Sequence, residues 1–216
     1  MKKLSIALLL IMATLNVNSQ TKFSIEAGPQ YSPDLSWRIG VNSDIPISSR
    51  LSVVPGLYWS NRHRVTKENS SYEDEGGTYN KSKESSYSAN YITLPVRLGI
   101  RISRLNSINK LQILVGPYIA YGTNGNGTIT KIVNGIENDV KYDSFGNNGM
   151  YKSRWDYGLD SEIQYTYKNR FKLGVFVESG FKKLYESDND FEKVMDDLFK
   201  INTVNVTAGI VVGYQF

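Results

Sequence analysis

The sequence predicts an all-β fold, a single eight-stranded antiparallel up-and-down transmembrane β-barrel, and three observations carry that expectation. Eight segments alternate apolar with polar residues, glycines and charges of both signs share the polar face, and the long connections all fall at one end. A membrane-crossing strand needs about 9–11 residues whose alternate side chains meet lipid and lumen, so alternation over that length is the expected signature.

Ahead of the first segment, Lys2 and Lys3 precede the apolar run Ile6 to Met12, which is too short to span a bilayer as a helix. The stretch Asn16 to Gln20 places Val17 and Ser19 in the pattern of a signal-peptidase site. Residues 1–19 are therefore expected to be a signal peptide and residues 20–216 the barrel domain. The chain has no cysteine, which removes disulfides, thiolate metal sites and a lipid anchor on cysteine. Its formal net charge is +4, and taking away Lys2 and Lys3 leaves near balance, so no nucleic-acid partner is indicated.

The segments fall at 22–32, 36–45, 51–62, 90–101, 111–122, 154–167, 171–182 and 203–216. The first presents Phe23, Ile25, Ala27, Pro29 and Tyr31 on its apolar face, and the second Trp37, Ile39, Val41, Ser43 and Ile45. The third and fourth run Leu51, Val53, Pro55, Leu57, Trp59 and Asn61, then Ile92, Leu94, Val96, Leu98 and Ile100. The fifth and sixth follow with Leu111, Ile113, Val115, Pro117, Ile119 and Tyr121, then the odd positions from Trp155 to Tyr167. The seventh has the odd positions from Phe171 to Phe181, and the last the even positions from Val204 to Phe216. None is charged in a chain with 21% charged residues, as a lipid-facing surface requires. The opposite face bears Glu26, Arg38, Asp44, Arg62, Arg97, Arg101, Asp156, Asp160, Glu162, Lys172, Glu178 and Lys182, an even mixture of signs that can pair.

A soluble lipocalin-like periplasmic binder would alternate too, with its apolar face inward. Glycine separates the alternatives. Gly28, Gly40, Gly56, Gly99, Gly116, Gly122, Gly158, Gly174, Gly180, Gly209 and Gly213 all share the charged face. Water imposes no steric demand for glycine, whereas the inside of an eight-stranded barrel has barely room for side chains. The charged face is thus expected inside. Pro29, Pro55, Pro95 and Pro117 interrupt strands, and bulges or strand-end positions are expected there, with a local one-residue slip of parity as the consequence.

The connections 46–50, 102–110 and 168–170 are short, and 63–89, 123–153 and 183–202 are long. Long loops face outward in outer-membrane barrels, so both termini are expected in the periplasm and the location in the cell outer membrane. Loop 63–89 is Ser, Asn, Glu and Lys rich and is expected to be mobile and solvated. In 123–153, Asn134-Gly135 lies between extended runs and predicts a hairpin arm continuing the fifth and sixth strands. A helix over 190–200, with Asp190 as N-cap and Phe191, Val194, Met195 and Leu198 on one face, is expected against the barrel or across its mouth.

No catalytic, cofactor-binding or metal-ligating residue is assigned. The sole histidine, His63, sits between Arg62 and Arg64, and Ser60 and Glu68 nearby form no triad spacing. The acidic group Asp188, Asp190, Glu192, Asp196 and Asp197 lacks the glycine and ligand spacing of a calcium loop. The expectation is a non-enzyme, with a barrel enzyme acting on lipid or peptide as the alternative.

The opening strand KFSIEAGPQYS, the central YITLPVRLGIR and the closing AGIVVGYQF, after a signal ending in Ser-Gln, resemble the PorT-like outer-membrane β-barrels. That family is related in architecture to the OmpA and OmpX barrels. The resemblance implies the barrel fold. The family's founding member is linked to a protein secretion system, a role that no residue here carries over. A structural or interaction role through the long extracellular loops, with envelope assembly or protein secretion as its narrower form, is the expectation for the barrel itself. The resemblance implies no site residue. The implied partners are outer-membrane lipid, the barrel assembly machinery through the last strand ending in Phe216, and a protein at the outer loops.

Overall fold

A computed structural model describes residues 21–32, 34–74, 77–103, 108–133, 136–146, 151, 153–182 and 205–216, with the side chains of 68–81, 133 and 136 left aside. The expected signal peptide, the expected helix 190–200 and its acidic group lie outside the described residues.

The described residues form nine antiparallel strands: β1 (Lys22–Tyr31), β2 (Leu35–Pro46), β3 (Leu51–Asp74), β4 (Gly77–Arg101), β5 (Lys110–Val133), β6 (Ile136–Asp143), β7 (Trp155–Tyr167), β8 (Phe171–Gly180) and β9 (Asn205–Gln215). Eight of them close a ring in the order β1-β2-β3-β4-β5-β7-β8-β9, with β9 returning to β1. Among the described residues the remaining strand, β6, pairs with β5 alone and stands outside the ring. The expected all-β, eight-stranded up-and-down barrel is the fold. Closure leaves no free strand edge around the ring, a condition for backbone in hydrocarbon.

Alternation decides which way each ribbon faces. Along β7 exposed and buried residues alternate without interruption from Trp155 to Tyr167, and β8 follows the same pattern from Phe171. Phe23, Ile25, Ile39, Leu57, Val96, Ile119, Leu173 and Val212 are all exposed, while Glu26, Arg38, Arg62, Arg97, Asp156, Asp160, Glu162, Lys172 and Glu178 are buried. The apolar face is outside and the charged face inside. Val206 departs from the pattern, buried although its parity points outward.

Aromatic rings gather at both rims of the apolar band. Trp37 packs edge-on to Trp59 at 5.2 Å and Tyr121 lies 4.8 Å from Trp155 near the long-connection end. Near the short-turn end Tyr214 meets Phe171 at 5.6 Å and Phe216 at 5.2 Å. Trp155 and Tyr165 on β7 bracket strand that, tilted at about 40°, rises roughly 25 Å, the height of a barrel's lipid-facing band.

Two expectations are corrected. The four prolines cause no slip of parity. Pro29 keeps its pairing with Trp37, Pro55 with Val96, Pro95 with Tyr118 and Pro117 with Leu159. On the other flank of each the ladder skips two residues and resumes in the same register, as from Ala27↔Val212 to Gln30↔Gly209. A proline lacks one donor, which faces one neighbour only, so the loss is confined to that seam. The register shift between β4 and β5 lies instead at Asn90/Tyr91.

Residues 63–89 are also not a loop. β3 and β4 pair continuously from Ser60↔Tyr91 to Asp74↔Gly77. The segment lacks apolar alternation because a hairpin projecting beyond the apolar band meets water, and its pairing is supported by β5 alongside, which matches β4 up to Lys81↔Val133. The expected arm around Asn134-Gly135 is present: Val133 pairs with Ile136 and Asn126 with Asp143.

Candidate functional site

Two features have functional shape: a lumen closed by its own side chains, and a sheet projecting from the long-connection end.

The lumen is a stack of charge pairs, built because alternate residues of eight strands converge on one axis. Nearest the short turns, Lys110 Nζ lies 3.9 Å from Asp44. Above it Glu26 accepts from Lys172 at 3.1 Å, from Gln164 at 3.2 Å and from the Tyr58 hydroxyl at 2.9 Å. Arg97 then donates to Glu162 at 2.5 Å, to Asp160 at 3.4 Å and to Tyr58 Oη at 2.8 Å. Arg38 reaches Glu178 at 3.2 Å and lies between the Tyr58 and Phe176 rings, 3.9 and 4.0 Å from their centroids. Arg62 donates to Asp156 at 2.8 Å, and Asp156 also accepts from Tyr118 at 2.9 Å and Asn205 at 2.7 Å. Ions this far from water persist only when paired and hydrogen-bonded, and each arginine here has a carboxylate.

Glycines make room for the stack. A Cβ at Gly40 would run into the Tyr58 ring, and one at Gly99 would lie 2.5 Å from Ser52 Oγ. The crowding inferred from the glycine pattern is present.

At the long-connection end an aromatic lid covers the stack. Phe145 and Tyr151, carried between β6 and β7, pack with Tyr91 at ring distances of 5.8 and 6.1 Å, and with each other at 5.5 Å. Gly122 admits the Phe145 ring, which a Cβ there would strike. Arg154 lies 4.6 Å over Phe145 and donates to the Gly122 and Thr123 carbonyls at 3.1 and 2.9 Å. Tyr151 bonds back to Ser144, whose hydroxyl donates to the Ser88 carbonyl at 2.9 Å. Burial pushes the Tyr151 phenol up to about 12, against the pull of Arg62 and Arg64. The lid was not legible beforehand: Phe145 and Tyr151 lie in a polar connection, and only contact with Ala89, Tyr91, Tyr118 and Ala120 gives them a role.

Beyond the lid, the outer parts of β3, β4 and β5 continue with β6 as one four-stranded blade, in the order β3-β4-β5-β6. An amide ladder stiffens its base: Asn61 donates to Asn90 at 2.8 Å, and Asn90 to Asn124 at 3.0 Å. Higher up, Tyr87 and Tyr142 meet edge-on at 5.6 Å, and Lys67 pairs with Glu84 at 3.1 Å.

His63 lies at the foot of this blade, and its carbonyl accepts from Asp34 N at 3.0 Å. Ser60 is buried toward the lumen, whereas His63 has the outward parity of the same strand. The structure does not bring them together.

An outward apolar belt between aromatic rims, closed strand pairing and an ion-paired interior define an integral outer-membrane β-barrel. The family model for the outer membrane protein beta-barrel domain matches residues 8–186, and the chain belongs to that family. No curated protein matches the chain. Among solved structures it is similar to a major outer membrane protein from Thermus thermophilus, at 13% identity and TM-score 0.46 over 91% of this chain and 99% of that one. It is also similar to Ail, the attachment invasion locus protein of Yersinia pestis, at 13% identity and TM-score 0.34 over 91% and 97%. The outer membrane enzyme PagL is 11% identical, with TM-score 0.35 over 90% and 98%.

Proposed function

We propose that the barrel is a non-enzymatic membrane anchor that displays the β3-β4-β5-β6 blade at the cell surface as a docking element for a protein partner. The observation that carries this reading is the hydrogen-bonded union of two long hairpins, through β4 and β5, into one sheet beyond the apolar belt. A sheet held by four strands presents a fixed surface, where separate loops would each lose entropy on binding. Long connections lie outside in barrels of this kind, so the blade is extracellular and both termini are periplasmic. Outer-membrane lipid surrounds the belt, and the assembly machinery receives the strand ending in Phe216.

A barrel enzyme acting on lipid or peptide is the weaker reading, because His63 and Ser60 occupy opposite faces of β3. A lipocalin-like binder needs an apolar interior, whereas the described lumen is filled by ion pairs. A PorT-like part in envelope assembly or secretion is the narrower form of the proposal and rests on the motif resemblance.

The test is protease applied to intact cells. Cleavage confined to the blade connections and 183–202 supports the display, and protection of those segments with cleavage at 46–50 or 168–170 overturns it. Replacing residues 66–86 by a short turn is expected to leave a heat-modifiable barrel and abolish crosslinking of cell-surface partners.

A further inference from the structure

We propose that the short-turn end of the lumen is a binding site for a phosphate-type oxyanion, held by Lys22, Arg101 and Lys110. This inference stands apart from the surface display.

Cations outnumber carboxylates at this level of the described lumen, where Lys22, Arg101 and Lys110 have Asp44 among them. Higher up, Arg97, Arg38 and Arg62 each meet a carboxylate, whereas Lys110 has Asp44 at 3.9 Å and the cations Lys22, Arg101 and Lys172 as its next charged neighbours. Lys172 is engaged by Glu26 and Asn42, both at 3.1 Å. Among the described side chains Asp44 is the carboxylate that faces Lys22, its ladder partner, and Lys110 at a loose 3.9 Å. All three cations have inward parity on strands whose other inward residues line the lumen. Lys110 is buried and Lys22 and Arg101 are half-buried, so water relieves this excess only in part and an anion joining it would be stabilised.

The second observation is independent of charge. Buried polar atoms without a hydrogen-bond partner line the same level: the hydroxyls of Ser24, Ser52 and Thr166, Arg101 Nε, and one acceptor, Asp44 Oδ1, which a bound anion must avoid. Ser24 is two residues from Lys22 along β1. Ser52 pairs with Gly99, two residues from Arg101, and Thr166 pairs directly with Lys110. Each cation thus has a spare donor close by. Hydroxyls, ammonium groups and a guanidinium are the donor set for an oxyanion with three or four acceptor oxygens. The ligand is free phosphate or the phosphate of a lipid headgroup, whose chemistry is shared.

The full barrel in maltoside micelles, in buffer free of phosphate and sulfate, is titrated calorimetrically with inorganic phosphate. Spin-labelled phosphatidylglycerol and phosphatidylcholine are then compared in vesicles. Saturable binding is expected, weakened about tenfold by Arg101→Gln or Lys110→Met, since a hydrogen bond to a charged group is worth about that factor. Lys22→Gln, at the more open rim, serves if the deeper variants fail to assemble. Phosphate binding without lipid selectivity assigns a free anion, and retention of phosphatidylglycerol sensitive to the same substitutions assigns the headgroup. No binding of either probe, or binding indifferent to these substitutions in a heat-modifiable barrel, overturns the proposal.

Discussion

Arg97 touches Glu162, Asp160 and Tyr58 at once, so its removal leaves two carboxylates without their nearest cation. Arg97→Met is expected to cost about 3–5 kcal/mol, the usual penalty for breaking a buried pair from one side. Denaturant unfolding in lipid vesicles checks it, and an unchanged midpoint would remove the ion stack as a source of stability. Arg97→Met with Glu162→Gln should cost less than the two single changes summed, because each single leaves a charge stranded. At Gly28 a Cβ would collide with the Ile210 carbonyl across the β1–β9 seam. Gly28→Ala is expected to destabilise by about 1–3 kcal/mol in the same assay. Outward positions such as Val175 should accept Ala with little loss of assembly, since lipid fills the space.

Among elements, the lid and the blade differ from the ring in what holds them. The Tyr151 phenol, ordinarily near 10, is raised to about 12 by burial. A raised phenol contributes stability that is complete below pH 10 and is lost as pH climbs to about 12, because the open lid releases its proton more readily. Protection factors at Gly122 and Ser144, which divide out the base catalysis that speeds every amide, should therefore fall over that interval while those of the ring amides hold. Tyr151→Phe, which cannot ionise, should abolish this early phase, and its persistence would place the titration elsewhere. The blade is legible in the chain only in part. Asn134-Gly135 announces the β5–β6 turn, but Ser, Asn, Glu and Lys in 63–89 carry no strand signal. They pair within the β3–β4 hairpin, and β5 flanks β4 as far as Lys81.

For the molecule as a whole, location and assembly are the testable properties. Detergent should be needed to extract the protein from the outer-membrane fraction, and recovery in soluble periplasm would contradict the outward apolar belt. Deleting Phe216, which donates its amide to the Phe23 carbonyl at 2.9 Å and packs on Tyr214, is expected to lower outer-membrane yield and heat-modifiable mobility.

By itself the amino-acid sequence determined the strands of the ring, their facing and the crowding of the interior. Those follow from a two-residue period, and a period is a local property. Only the tertiary structure decided which charges pair, since Arg62 and Asp156 or Arg38 and Glu178 meet by ring closure across long stretches of chain. It alone likewise made a lid of Phe145 and Tyr151, a blade of four polar strands, and a cationic level of Lys22, Arg101 and Lys110. Contacts between distant segments leave no periodic trace, because each partner is chosen for a neighbour that closure brings to it.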